Sequence, residues 1–479
     1  MLTLIDEKLR RNFPDETVNK RLARVQQLDR LPKFISEYAV KELVGENEDP
    51  TAMTVLSNFV KQLYPEPKEK NRVLNEIMEK GSYTLLDEFR VTVDIKAGSK
   101  KVEIPSLGIK DAMIQPSVLE AHQSLLEAGM WGTAKLSYRP KVFDEDENQT
   151  PQTPVVVTEF SPLQYSNISL PDYKARREDF TLPEWIDALT QTLGMNPDAY
   201  NGRTKILYLS RLIPLVENNV NLMELGPRNT GKSYLYKNIS YYVRLFSGGQ
   251  VSPAVLFYHQ IYRTLGDLAV RDLVVFDEIS RIDFKSQDEM MGKFKDFMES
   301  GEFERGQLKR ARSNCSLMFQ GNIEVEGQVP AEDFSAVMPD CMKNDSAFAE
   351  RVHGMVPGWE MPKIKQGDVH LCNGYGLVTD YFCEIMHELR KENFNYHIQA
   401  KVKLSAEGDE VSIRDQRAVQ RLASGMMKLL SPHDSGDPQA LEIAVKTAIE
   451  YRQRIHDWLC TISPGEYHPK NLQYIIRGS

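Results

Sequence analysis

Gly226-Pro227-Arg228-Asn229-Thr230-Gly231-Lys232-Ser233 is the feature of this 479-residue chain that most narrows its fold. The spacing GxxxxGK[ST] has a mechanical meaning. Its glycines let the backbone curl until successive N–H groups face phosphate oxygens, the lysine reaches the β- and γ-phosphates, and the hydroxyl ligates Mg²⁺. The flanks suit that reading. Residues 220–225 form an apolar strand ahead of the loop, apart from Asn221 and Glu224, and residues 234–244 read as the helix behind it. The positive dipole end of such a helix adds to the pull on an anion. Two further apolar runs, 273–276 and 316–320, are short and do not alternate, as befits parallel strands buried on both faces. The expected fold is therefore α/β, with ATP and Mg²⁺ as ligands.

Leu273-Val274-Val275-Phe276 ends in Asp277-Glu278, which puts two acids at the carboxyl end of a buried strand, where open α/β sheets bind ligands. Asp277 is expected to hold Mg²⁺ together with Ser233, and Glu278 to act as general base on the attacking water. Asn322 follows the third apolar run. It reads either as a residue positioning the same water or as a turn asparagine after Gly321.

Composition sets the rest of the frame. Hydrophobic residues make up 41% and charged residues 27%, enough for several packed domains. The net charge of -9 excludes a generally basic coat, so any nucleic-acid site must be a local concentration of cations. No apolar run approaches the length of a membrane span, residues 1–11 lack a secretory core, and five cysteines make no disulfide framework. A cytoplasmic protein with no membrane partner is expected. The chain reads as a helical region (1–80), a small mixed β module (81–165, OB-like in outline), a linker with a leading helix (166–200), the α/β core (201–375) and a helical lid (376–479). Asp15 is placed as the cap of a helix carrying Val18, Leu22, Val25 and Leu28, and residues 143–149 as an acidic solvated loop. Cys383 and His387 share a helix face but do not amount to a metal site.

The phosphate loop, the Asp277-Glu278 strand, Asn322 and a helical tail, in this order, resemble the AAA+ ATPases over residues 200–460. The stretch from Met298-Glu299-Ser300-Gly301 to Asn322 is similar to the pre-sensor hairpin region of the minichromosome maintenance helicases. Ser412-Ile413-Arg414 is similar to the sensor-2 helix of those helicases and of Lon proteins. Across most of the chain, Phe180-Thr181-Leu182-Pro183-Glu184-Trp185, Glu224-Leu225-Gly226-Pro227-Arg228 and Asp345 to Glu360 resemble BrxL, the Lon-related AAA+ family of bacterial BREX phage-defence systems.

The resemblance implies a homo-hexameric ring or stacked double hexamer around duplex DNA, bound without sequence preference, with other BREX proteins as partners. It implies Arg351 as a finger acting on a neighbouring subunit's nucleotide, with Arg310 and Arg312 as rivals, and Arg414 as a nucleotide-contacting sensor, with Arg417 as its rival. Arg305, Lys309, Arg310 and Arg312 fall where such rings project a hairpin into the pore. Symmetry would multiply them into a collar for phosphates. Residues 247–259 fall at a second pore-facing segment, with packing of their aromatic residues into the core as the other reading. Lys96, Lys100 and Lys101 are a weaker candidate for binding phosphate. Family members commonly carry a C-terminal Lon-like domain with a Ser–Lys dyad. None is placed before Ser479, and peptidase activity is not expected. The other reading is an ATP-driven protein unfoldase of the Lon type. It is disfavoured because no Tyr-x-Gly loop lies between the phosphate loop and Asp277.

Overall fold

The computed structural model describes residues 2–45, 50–94, 98–126, 129–140, 153–165, 168–261, 263–364, 369–408 and 410–477. The chain divides into two compact units. One holds residues 21–168 with 378–381; the other holds 1–20, 169–377 and 382–479. The acidic run 143–149 and Lys96 lie outside the described residues.

In the first unit, helices Lys33–Leu43, Pro50–Leu63 and Lys70–Lys80 lead into five strands: β1 (Ser82–Asp94), β2 (Ser99–Ile104), β3 (Ile109–Ile114), β4 (Met130–Tyr138) and β5 (Val155–Pro162). They close into a barrel in the order β1-β2-β3-β5-β4. The β3–β5 pair is parallel, the other pairs antiparallel, and the short helix Pro116–Ala121 bridges β3 to β4. That is an OB-like barrel. Alternation explains its core: Leu85, Phe89, Val91, Val102, Ile104, Ala134 and Leu136 turn inward, and Val73 and Ile77 of the third helix pack on them.

The second unit is built on β6 (Asn221–Gly226), β7 (Val243–Val251), β8 (Leu273–Phe284), β9 (Ser316–Asn322) and β10 (Gly354–Pro357), ordered β10-β6-β9-β8-β7. All four pairings are parallel. Every residue of β6 is buried, which is why its sequence does not alternate. Helices Ile413–Leu430 and Pro438–Ile462 form the lid, burying Val419, Leu422, Met426 and Leu429 on one and Leu441, Val445 and Ala448 on the other.

Four details differ from the sequence reading. Thr17–Asn19 is a strand paired with Tyr375–Leu377, and 22–24 and 26–28 are 3₁₀ turns, so the apolar spacing of Val18 to Leu28 belongs to no α-helix. The first helix is Leu4–Asn12, capped by Thr3. The helix behind the phosphate loop is Lys232–Asn238; Val243-Arg244-Leu245-Phe246 is already strand, in keeping with its β-branched and aromatic residues. The stretch read as linker carries the helix Leu170–Arg177, whose Tyr173 is buried against Phe13 and Trp185. The ribbon Val402–Glu407 with Asn471–Ile476 pairs segments too far apart in sequence to be seen locally.

Candidate active site

The phosphate loop leaves the carboxyl end of β6. A side chain on Gly226 would come within 2.4–2.7 Å of the Gly358 backbone, so only glycine fits there. Asn229 and Gly231 adopt φ of 67° and 78°, and these two left-handed residues curl the loop. Thr230 is buried, Arg228 and Asn229 are exposed, and Pro227 is half-buried. Lys232 is buried. Its Nζ donates to the carbonyls of Gly226 (2.8 Å) and Pro227 (2.9 Å) and to Asn322 Oδ1 (3.3 Å). Burial lowers its pKa, with the Glu224 carboxylate pulling the other way. Asn322 is level with Gly226 across the β9–β6 pair, so its bond with Lys232 follows from sheet register.

Asp277 is buried on β8, accepting from the Glu278 N–H (3.0 Å) and facing Ser247 Oγ at 3.5 Å. Glu278 sits at φ 50°, a left-handed conformation that costs a side-chain-bearing residue about 1 kcal/mol or more and clusters at functional sites. Its carboxylate is met by Arg281 Nη1 at 3.1 Å. The acidic pair does not end its strand: β8 leaves β9 after Phe276 but runs on to Phe284, and its pairing with β7 slips between Asp277 and Ile282, so Glu278 to Arg281 form a bulge within it.

Beneath the loop lies a pair the sequence reading missed. Arg211 and Glu224 are 1% and 0% exposed and form a bidentate ion pair at 2.9 and 2.6 Å. Arg211 Nη1 also donates to the Thr230 carbonyl at 3.1 Å. A charged residue within an apolar strand, such as Glu224, was the available signal.

Arg351 and Arg414 stand at the other end of the sheet. The Asn221 side-chain amide, at the start of β6, donates to the carbonyls of Met298 (2.9 Å) and Arg351 (3.0 Å). Gly226 lies five steps along the strand from Asn221, roughly 17 Å at about 3.3 Å a step. That is beyond the reach of an arginine, so Arg351 cannot serve its own chain's loop. Around it, Glu299 faces Arg351 Nε (3.4 Å), Arg414 Nε (3.2 Å) and Arg417 Nη1 (3.9 Å), and Arg414 also pairs with Glu350. Arg421 and the buried His353, whose pKa burial drives well below its ordinary value, complete the pocket. None of its lining residues belongs to the phosphate loop.

The basic cluster lies on a hairpin, Glu302–Arg305 with Leu308–Arg312. Lys309 and Arg312 are exposed. Arg310 is 77% exposed but bonded to Glu302 at 2.8 Å. Arg305 is 15% exposed and is occupied by Glu289 (3.0 Å) and the Tyr258 carbonyl (2.7 Å), which ties this hairpin to the neighbouring ribbon Tyr258–His259 with Thr264–Leu265. The cations open to a phosphate thus reduce to Lys309, Arg312 and, in part, Arg310. Of residues 247–259, Val251, Pro253, Leu256, Phe257 and Tyr258 are buried, while Ser247, Gly249, Gln250 and Val255 are exposed. In the barrel, Lys100 is exposed and Lys101 half-buried. His387 binds Asp272 and Cys383 donates to Ser240; among the described residues no cluster of metal-ligand side chains occurs. No helix among the described residues is long and apolar enough to cross a membrane.

A parallel sheet in this order, with a phosphate loop after its second strand and an acidic pair at the bulge of its fourth, defines a P-loop ATPase core of the AAA+ type. Residues 155–473 match the ATPase-domain model of the Lon-like protease BrxL-like proteins. Residues 11–138 match the N-terminal model of the BREX system Lon protease-like protein BrxL. The Lon-like protease BrxL of Escherichia coli O9:H4 (strain HS) is 34% identical over 477 residues, covering 98% of this chain and 67% of that protein. The one from Bacillus cereus (strain H3081.97) is 32% identical over 474 residues, covering 98% and 68%. The chain belongs to the BrxL family.

Proposed function

We propose that this chain is one subunit of a homo-hexameric ring, or of two stacked rings, that encircles duplex DNA and hydrolyses ATP between subunits to translocate or clamp in BREX phage defence. The observation that carries the reading is the division of the site into halves. The phosphate loop, Asp277, Glu278 and Asn322 sit at the carboxyl edge of the sheet. Arg351 and Arg414 sit some 17 Å away by strand length, at the amino edge of β6. Two copies placed head to tail bring the halves together, and a head-to-tail arrangement that closes makes a ring.

In that arrangement Gly226 to Ser233 cradle the phosphates and Lys232 leaves its loop carbonyls for the β- and γ-oxygens. The Ser233 hydroxyl and Asp277 carboxylate are the hard oxygen donors Mg²⁺ favours, and the bound ion would offset charge on the phosphate oxygens. Glu278 takes the proton of the attacking water and Asn322 orients that water. The partner's Arg351 and Arg414 stabilise charge growing on the γ-phosphate. Lys309 and Arg312 supply phosphate contacts that hold DNA without reading its bases.

The test is steady-state ATP hydrolysis with and without long duplex DNA at moderate salt, with Glu278→Gln as control. The reading requires DNA to stimulate the native protein and Glu278→Gln to bind ATP yet hydrolyse it poorly. Hydrolysis indifferent to DNA would refute it and favour an ATP-driven protein unfoldase of the Lon type.

A further inference from the structure

We infer that Glu299 is a positioning residue for hydrolysis: it holds Arg351 and Arg414 in register as a single cationic fork for the neighbouring subunit's γ-phosphate. The inference rests on the interface site proposed above and assigns a role to a side chain that does not touch the nucleotide.

The geometry begins at Asn221. Its amide bonds the carbonyls of Met298 and Arg351 together, so the end of helix Gln287–Ser300 and the end of helix Ser346–Arg351 are clamped to one strand terminus. Glu299, the residue after Met298, is thereby delivered beside Arg351. Its Oε2 lies 3.4 Å from Arg351 Nε and 3.2 Å from Arg414 Nε, one oxygen shared by two guanidiniums. Arg351 Nη1 is spent on the Ala347 carbonyl at 2.7 Å. The bond to its own helix fixes one side of the guanidinium, and the Glu299 carboxylate, 3.4 Å from Nε without a hydrogen bond to it, holds the other side by charge.

Charge makes the same point. Arg351, Arg414 and Arg417 meet around Glu299, with Glu350 as the other anion on Arg414. With Arg421 also in the lining, four arginines stand against the two carboxylates, so the pocket keeps net positive charge for an incoming anion. Without Glu299 the arginines would repel one another and spread. A fork that must re-form at each turnover loses the pre-organisation on which transition-state stabilisation depends. Glu299 is 34% exposed and lies at a helix end, so its removal leaves the core intact.

The test uses the full chain and the variants Glu299→Gln, Glu299→Asp, Arg351→Ala and Glu299→Gln/Arg351→Ala. Four quantities are measured: kcat, KM, binding of a fluorescent ATP analogue, and Tm. Glu299→Gln is expected to lower kcat at least tenfold while KM, analogue binding and Tm stay near wild type. Glu299→Asp keeps the charge but withdraws it by one methylene, and is expected to recover part of kcat. In the Arg351→Ala background, Glu299→Gln is expected to change kcat less than twofold, because with one prong gone there is no fork left to hold in register.

Wild-type kcat in Glu299→Gln, or the same tenfold loss in the Arg351→Ala background, overturns the role. So does a loss of Tm that accounts for the fall in kcat. Full kcat in Arg351→Ala would instead remove the interface reading itself, and the role with it. Loss in Arg351→Ala alone would leave that reading standing while Glu299 fails.

Discussion

The buried pair under the phosphate loop gives the sharpest energetic test. Arg211 and Glu224 bury complementary charges with two good hydrogen bonds, and each has almost no access to water. Removing one partner strands the other, at a cost of about 3–5 kcal/mol. Arg211→Met should therefore lower the melting temperature by at least about 6 °C, at 2–4 °C per kcal/mol for a large domain. Replacing both, in Arg211→Met/Glu224→Met, leaves no buried charge, and most of that loss should return. Nucleotide affinity should not return with it. Arg211 also donates to the Thr230 carbonyl, and a bond from a charged donor is worth about 1.5–3 kcal/mol. If half of that goes to holding the loop curled, ATP binding weakens about tenfold or somewhat less in the single and the double variant alike. Thermal unfolding by tryptophan fluorescence and titration with a fluorescent ATP analogue read the two effects separately. A single variant as stable as wild type would refute the stranded-charge reasoning. A double variant that regains full affinity would show that Arg211 does not shape the loop.

Three other outcomes are expected. Lys232→Ala should abolish ATP binding without lowering Tm, because a buried cation held only by loop carbonyls and Asn322 is released; retained binding, measured by the same titration, would unseat the loop as the phosphate site. Glu384 has its pKa pushed up to about 7 by burial, although the Tyr242 hydroxyl pulls it down. A carboxyl that holds its proton more tightly when folded adds stability at low pH and loses it as pH rises from about 4.5 through 7, up to about 3 kcal/mol. His387, held raised by its bond to Asp272 against the effect of burial, has the same sign. Tm should accordingly fall between pH 5 and 8, and Glu384→Gln should flatten that fall; equal slopes would refute it. Finally, Lys309→Ala/Arg312→Ala should reduce the slope of log affinity for duplex DNA against log salt by about 0.9 for each phosphate the hairpin no longer neutralises, whereas an unchanged slope would mean that the hairpin does not touch DNA.

What was legible in the sequence was whatever rests on local spacing or on a wholly buried strand. GxxxxGK[ST] fixes its loop by backbone geometry, and the runs ending at Gly226, Asp277 and Asn322 show their burial directly, so the phosphate half of the site could be assembled from the residues alone. The barrel strands showed themselves by alternation, as in Phe89 to Asp94. What escaped depends on pairs far apart in the chain. Glu224 looks like a blemish in an apolar strand until Arg211 is seen against it. Arg305 looks like one more pore cation until Glu289 and the Tyr258 carbonyl are found to occupy it. The spacing of Val18 to Leu28 failed because a β-branched pair, Thr17-Val18, met the distant strand Tyr375–Leu377, and tertiary pairing overrides helical propensity. The same limit applies to the arginines. Sequence can nominate Arg351, Arg414 and Arg417, but not the carboxylate that gathers them. That Glu299 faces all three follows only from the clamp Asn221 makes between two helix ends, and it is this clamp that gives the arginine cluster at the amino end of β6 a defined shape.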